Sequence, residues 1–361
     1  MASRINVALL FGGRSGEHDV SRASGAYIMD SLRDSSRYHL LPVGITREGS
    51  WYAYSGPSEA MRDGSWLEEG PVYPAWLVPD TDKPYLFVNR KGQTVSYQLD
   101  CVFPALHGPN GEDGTVQGLL ELAGIPFVGC GMTASALAMD KAFANALFEQ
   151  QGIPHTPWRV LDLDDWQAGG PALAEEALEG LRYPLFVKPA RGGSSLGISR
   201  LDRPDELPAA LTQAFTYDRK VVIEQGVRGR ELEIAALGDY RNPLLSPVGE
   251  IVPDRAFYDY DSKYQEESTS QLLIPARLEE GQELEIRKLA LEAWRALDCY
   301  GMARIDFFLA DDGQIFLNEI NTIPGFVRIS MYPRLMRAAG YTDAGLLEKL
   351  IELALERKPL E

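Results

Sequence analysis

The sequence predicts an α/β chain, α+β in part, with a doubly wound domain first and smaller mixed domains after it. Three observations carry that reading. An apolar strand, Ile5 to Phe11, runs into a glycine-rich turn at Gly12-Gly13 and then a helical pattern through about Leu32. That is the opening of a doubly wound sheet, with a ligand crevice at the strand's carboxyl end. A second apolar strand, Asp100 to Leu106, ends the same way, in His107-Gly108-Pro109-Asn110-Gly111. Near the other end, two β-branched and aromatic runs flank Asp312-Gly313, the strongest short-range hairpin signal a sequence offers.

At 361 residues the chain should divide into two or three domains, because single cores stop growing at about 250 to 300 residues. Its composition, 45% hydrophobic and 24% charged, is globular. A net charge of -17 excludes nucleic acid and anionic membrane as partners, since both reward basic surfaces. Any anionic ligand must then find local positive contacts. Cys101, Cys130 and Cys299 lie far apart in apolar contexts, without paired metal spacing, and read as buried thiols of a reducing compartment. No apolar run reaches 18 residues, so a cytoplasmic location is expected.

The first turn lacks the dinucleotide spacing, and Glu17 with Asp19 would repel a pyrophosphate. Glu17 suits an ammonium group, or else caps the following helix, worth about 0.3 to 1 kcal/mol. His107 is placed to touch a ligand or to be a satisfied loop histidine. The pattern gives a helix from about Thr115 to Ala123, and another over Thr133 to Gln151 in which Lys141 reads as a solvated charge. Tyr183 to Pro189 is a strand bearing Lys188, followed by Arg191-Gly192-Gly193-Ser194-Ser195-Leu196-Gly197. Glycine and serine there free backbone N–H groups for phosphate oxygens, although the lysine precedes the loop and a strand follows it, unlike a Walker loop. Lys220 to Gln225 is a strand that passes through Gly226 to Arg230 into the alternation Glu231 to Leu237. Such a junction forms either a slot for a flat base or an ordinary hairpin.

Pro253 to Ser270 has no apolar periodicity and many aromatics, the character of a functional lid with Lys263 and Tyr264 at its tip. Glu279 to Leu297 is an amphipathic helix feeding the hairpin, and Thr342 to Glu356 is a closing helix. With Asp312 and Gly313 as a two-residue turn, Asp306 falls opposite Glu319 and Arg304 opposite Asn321, on one face with Phe308 and Leu317. Facing carboxylates repel. Either Mg²⁺ sits between Asp306, Glu319 and the amide of Asn321, or the hairpin has one polar, wet end.

Taken together, Gly12-Gly13-Arg14-Ser15 with Glu17-His18, the His107-Gly108 to Thr115 run, Lys188-Pro189 with Gly193-Ser194-Ser195, Tyr258 to Tyr264, Arg304-Ile305-Asp306 and Asn318 to Phe326 resemble the D-alanine:D-alanine ligase family of the ATP-grasp superfamily. The likeness covers nearly the whole chain. It implies an ATP-grasp fold with a Rossmann-like domain over 1–132 and two ATP-clasping subdomains over 133–227 and 228–361. It also implies an enzyme that joins two D-alanines through an acyl phosphate for peptidoglycan precursors.

By position, Lys141, Lys188, Ser194, Ser195, Glu224, Val227, Glu231, Phe257 and Lys263 would bind ATP. Asp306, Glu319 and Asn321 would hold two Mg²⁺, with Mn²⁺ able to substitute. Glu17, Ser194 and Tyr264 would act on the first D-alanine with His107 nearby, Arg304 and Gly325 would hold the oxyanion, and Ser330 with Met331 the second carboxylate. A homodimer is implied as well. Two positions depart from the family pattern: Val327-Arg328 replaces small hydroxylated residues, and Gln225 a lysine of some members. The rival readings are a ligase taking D-lactate or another acceptor, and a nucleotide-gated binding protein without turnover.

Overall fold

The computed structural model describes residues 4–78, 84–193, 196–252 and 271–357. The lid expected over Pro253 to Ser270, with Phe257, Lys263 and Tyr264, lies outside the described residues, as do Ser194 and Ser195.

Three sheets follow one another along the chain. The first contains β1 (Ile5–Gly12), β2 (Tyr38–Ile45), β3 (Trp51–Tyr54), β4 (Val72–Val78), β5 (Tyr85–Arg90), β6 (Gln93–Gln98) and β7 (Cys101–Ala105), in the order β6-β5-β4-β3-β2-β1-β7. β1 pairs in parallel with β2 on one side and β7 on the other, so Val7 to Phe11 are fully buried, as their continuous apolar run requires. The doubly wound expectation holds for these three strands only. β3 to β6 extend the sheet as an antiparallel meander. At the end of β1, Gly12 and Gly13 adopt φ 86° and 98°, and a Cβ on Gly12 would sit 2.3 Å from the Ile45 carbonyl oxygen. The turn therefore needs glycine there.

The second sheet, β8 (Trp158–Asp162), β9 (Leu185–Pro189), β10 (Ser199–Leu201) and β11 (Lys220–Gln225), runs β10-β9-β11-β8 and is antiparallel throughout. Its core, including Leu185, Val187, Leu211 and Ile223, is its own. The third comprises β12 (Gly229–Gly238), β13 (Leu244–Leu245), β14 (Gly249–Val252), β15 (Gln271–Leu273), β16 (Gly301–Ala310) and β17 (Ile315–Asn321). It is ordered β15-β14-β12-β16-β17, with β13 on β12. The helix Gln282–Ala296 lays Ile286, Leu289, Ala293 and Trp294 on one face of it, against Ile305, Phe307, Leu317 and Ile320. On the other side the helices Met331–Ala338 and Asp343–Glu356 share a core with the first sheet, joining Leu9 and Phe103 to Ala235 and Met302.

Two local expectations need correction. The helix expected over Thr133 to Gln151 is two helices, Met132–Met139 and Lys141–Gln150, because Asp140 takes an extended backbone (φ -89°, ψ 98°) and its carboxylate accepts the Ala142 and Phe143 N–H groups as an N-cap. The β16–β17 hairpin closes through three residues, Asp311-Asp312-Gly313, with Ala310 N–H bonded to the Gln314 carbonyl and Gly313 at φ 86°. Asp306 nevertheless pairs with Glu319 and Arg304 with Asn321, because the register shifts between Asp306 and Phe307, leaving Asn318 as an extra residue on β17. The bulge offsets the longer turn. Leu317 consequently pairs with Phe307 and enters the core, so it does not share the carboxylate face.

Ile305 is fully buried under the helix Gln282–Ala296. Ile305→Ala should destabilise the unfolding transition followed by circular dichroism in a urea titration by about 2 to 5 kcal/mol. A loss below about 1 kcal/mol would contradict this packing.

Candidate active site

A cleft of ≈ 880 Å³ opens between the three sheets. All described residues expected from the sequence line it: Glu17 and His107 from the first sheet's turns, and Lys141, Lys188 and Glu224 at the second sheet. Val227, Glu231, Arg304, Asp306, Glu319, Asn321, Gly325, Ser330 and Met331 come from the third and its loops.

On the second sheet, Lys188 Nζ lies 2.5 Å from Glu224 Oε2, and Asn145 donates to Glu224 Oε1 at 3.2 Å. Burial would push the Lys188 ammonium down, but Glu224, with Glu319 and Glu231 behind it, raises it above its ordinary value and keeps it charged. Lys141 is not a solvated charge. Its side chain is largely buried, and Nζ donates to the Gly192 carbonyl at 2.9 Å and stands 3.6 Å from Glu319 Oε2.

Four residues not singled out in the sequence set up this end. Asp140 caps the Lys141 helix and pairs with Lys220 at 2.5 Å. Asp218 accepts from Arg191 Nε, Nη2 and backbone N–H, anchoring the glycine-rich loop at its root. An aspartate directly before an apolar helical run was the available signal for Asp140. Asp218 gave none, because its partner is 27 residues away.

On the third sheet, Arg304 forks onto Asp306, Nε to Oδ1 at 2.8 Å and Nη2 to Oδ2 at 2.7 Å, and Nε is also 3.0 Å from Glu233 Oε2. Asn321 Nδ2 donates to Asp306 Oδ2 at 3.0 Å. Burial opposes the guanidinium charge, yet Asp306 and Glu233 outweigh it and hold Arg304 well above its ordinary value. Glu233 was missed in the sequence, where it read as one more acidic residue in an alternating strand. Its register opposite Asp306 gives it its place. Among the described residues no group of three or more His, Cys, Asp or Glu side chains forms a complete metal cage. The donors present, two facing carboxylates and an amide oxygen, are hard oxygens of residues that line the cleft. That donor set fits a hard divalent cation.

On the first sheet, Glu17 precedes the helix His18–Ser31, but its side chain makes no capping bond. It is buried, and a Cβ on Gly108 or on Gly193 would each come 2.6 Å from its Oε2. The carboxylate thus lies between the glycine loops of two sheets. His18 Nδ1 bonds the Gly13 carbonyl at 2.6 Å and pins the turn, with burial drawing its imidazole below the ordinary value. His107 is buried and bonded at both ring nitrogens, to Ser24 Oγ and to the Ile323 carbonyl. Burial disfavours its charge, but Glu112, 3.6 Å away, together with Glu17 raises its pKa. Ser330 Oγ accepts the Val327 N–H at 3.2 Å, ahead of the helix Met331–Ala338.

Residues 6–130 match the family model for the D-ala D-ala ligase N-terminus and residues 147–352 that for the D-ala D-ala ligase C-terminus. The chain belongs to the D-alanine–D-alanine ligase family. It is 46% identical over 354 residues to a D-alanine–D-alanine ligase of Thermoanaerobacter sp. (strain X514), covering 97% of this chain and 96% of that one. It is 44% identical over 356 residues to the ligase of Caldicellulosiruptor bescii, covering 98% and 96%. Among solved structures it resembles the VanG D-Ala:D-Ser ligase of Enterococcus faecalis (TM-score 0.87, 36% identity, 98% of this chain and 100% of that one). It also resembles the D-alanine-D-alanine ligase of Coxiella burnetii (TM-score 0.85, 34% identity, 98% and 95%). Membership of this ligase family makes the chain an enzyme and its fold ATP-grasp, and implies ATP and a divalent metal.

The Lys188–Glu224 pair tests the electrostatics of the ligase cleft. Glu224→Ala strands the ammonium, and urea unfolding should show a loss of about 3 kcal/mol, low in the range for a broken buried pair because the cleft admits water. A loss near zero would mean that the ammonium is hydrated as it stands.

Proposed function

We propose that the chain joins two D-alanine molecules to D-alanyl-D-alanine, with ATP converted to ADP and phosphate, in the supply of peptidoglycan precursors. One observation carries the reading: a carboxylate suited to an ammonium (Glu17), a lysine pair suited to phosphates (Lys141, Lys188) and a hard-oxygen face beside a guanidinium (Asp306, Glu319, Asn321, Arg304) line a single cleft.

A carboxylate does not acylate an amine until one of its oxygens becomes a leaving group, and phosphorylation by ATP supplies that. Lys141 and Lys188 neutralise the phosphates, with the backbone about Gly192 and Gly193 alongside. Glu224, Val227 and Glu231 lie where the second sheet hands over to the third, a place for base and ribose. Asp306, Glu319 and Asn321 would hold magnesium, two ions with manganese as a substitute, which when bound neutralises the charge developing on the transferred phosphoryl. Glu17 orients the first ammonium. Arg304 and the Gly325 N–H hold the oxyanion formed when the second amine attacks, and Ser330 with Met331 receives the second carboxylate at a helix N-terminus.

A second acceptor has one observation in its favour: Val327 and Ser330 line the cleft with Arg328 between them in the chain, and the similar VanG enzyme is a D-Ala:D-Ser ligase. No helix among the described residues is long and apolar enough to cross a membrane. We place the enzyme in the cytoplasm, where its three buried, unbridged cysteines stay reduced. We propose a homodimer, in support of which Leu119, Leu122 and Met132 leave apolar surface 37%, 76% and 43% exposed.

With ATP and magnesium, D-alanine alone should yield D-alanyl-D-alanine by mass, and added D-serine or D-lactate should yield only minor mixed products. Mixed products in excess would transfer the reading to the other acceptor, and phosphate release independent of D-alanine would remove the ligase. Arg304→Lys keeps the charge but loses the fork. Its kcat should fall about a hundredfold with the KM for ATP little changed, and wild-type turnover would remove the oxyanion role.

A further inference from the structure

We propose that Ser24 is a positioning residue for the ligation step: with His107 it bridges the two ends of the Ile323-Pro324-Gly325-Phe326 turn and so fixes the Gly325 N–H. The inference rests on the ligase reading above and deepens it. Ser24 is fully buried on the helix His18–Ser31, about two turns from Glu17. Its Oγ lies 2.8 Å from His107 Nε2 and accepts the Phe326 N–H at 3.2 Å. The other imidazole nitrogen, Nδ1, lies 3.0 Å from the Ile323 carbonyl.

A carbonyl only accepts, so Nδ1 carries the hydrogen in either charge state of the ring. In the neutral ring Nε2 accepts the Ser24 hydroxyl proton, and in the imidazolium it donates to the Ser24 oxygen. Either way Oγ keeps a lone pair for the Phe326 N–H. The Ile323 carbonyl and the Phe326 N–H are thus joined through two buried side chains, with Pro324 and Gly325 in the enclosed segment.

Each end of this bridge is itself held. His107 donates its backbone N–H to Ser21 Oγ at 2.9 Å, and its carbonyl accepts the Ser15 hydroxyl at 2.6 Å. Phe326 packs edge-on against Phe103, with ring centroids 6.0 Å apart. Gly325 faces the cleft, where a Cβ would come 2.9 Å from Ser330 Oγ. The helix that begins beside Glu17 therefore also sets the oxyanion donor. Nε2 of His107 serves the turn through Ser24, and Nδ1 does so directly, with Glu112 Oε1 3.6 Å from it.

Removing the hydroxyl leaves the imidazole nitrogen and the Phe326 N–H without this partner, and the turn relaxes. Acyl phosphate would still form, since the phosphate contacts lie elsewhere, but attack by the amine would slow. Water would then take the acyl group, returning D-alanine and releasing phosphate. ADP and dipeptide should be counted in the same reaction mixture. The wild type should produce them in equal amounts. Ser24→Ala should lower dipeptide formation about a hundredfold, leave the KM for ATP within about twofold, and give ADP in clear excess over dipeptide. Equal amounts at any rate, whether slowed or not, would overturn the proposal, because a merely structural defect lowers both together. Should Ser24→Ala not fold, Ser24→Cys, with its weak hydrogen bonds, should show a smaller excess, and equal amounts there would overturn it too. A wild type that makes no dipeptide would remove the ligase reading, and this inference with it. A coupled wild type with an equally coupled variant removes this inference alone.

Discussion

Asp306 and Glu319 stand directly opposite one another on adjacent antiparallel strands, an arrangement that destabilises a sheet unless positive charge is brought to it. Glu233 deepens the problem from β12. The third sheet offers Arg304, which grips Asp306 with its fork and touches Glu233. Glu319 also faces Lys141, whose helix packs Ala142 against the second sheet and Ala144 and Phe148 into the core of the third. The charge balance of the third sheet therefore draws on a helix that joins it to the second, and the space where the two sheets meet is the cleft. Net charge gives no hint of this, because the compensating cations are few and local.

The division of labour follows from how the cores are distributed. The first and third sheets share a hydrophobic core through the two C-terminal helices, which fixes Glu17, His107 and the turn at Gly325 relative to Arg304. The second sheet has a separate core. It carries Lys188 and the glycine-rich loop, whose root is tied down by Asp218 and by the capped helix of Lys141. An acyl phosphate needs a rigid place for its carbonyl and a phosphate end that admits a nucleotide and releases another. Two sheets locked together facing a third with its own core supply both.

Much of this was legible in the residues, and the failures have physical causes. The pairing of Asp306 with Glu319 was found from a two-residue turn that does not exist: the loop has three residues, and the bulge at Asn318 restores the count. Alternation cannot reveal a bulge, since Asn318 and Glu319 are both polar. β1 and β7 were plain because parallel central strands are apolar on both faces. β6, Gln93–Gln98, is a mostly polar edge strand whose extended form comes from pairing with β5 rather than from its own pattern. The cap at Asp140 broke a helix that periodicity ran straight through. Ser24 and Glu233 carried no signal, because a serine in a helix and a glutamate in a strand acquire partners only through contacts distant in sequence.

The central claim is that Asp306, Glu319 and Asn321 converge to hold a divalent cation against the nucleotide. Its most direct test is a magnesium titration of ADP binding by calorimetry, on the wild type and on Glu319→Gln, which keeps shape and removes charge. The account predicts that the variant needs at least about tenfold more magnesium to reach half of its metal-dependent affinity. Its metal-free ADP binding should change little. Coincident magnesium titrations would contradict the account.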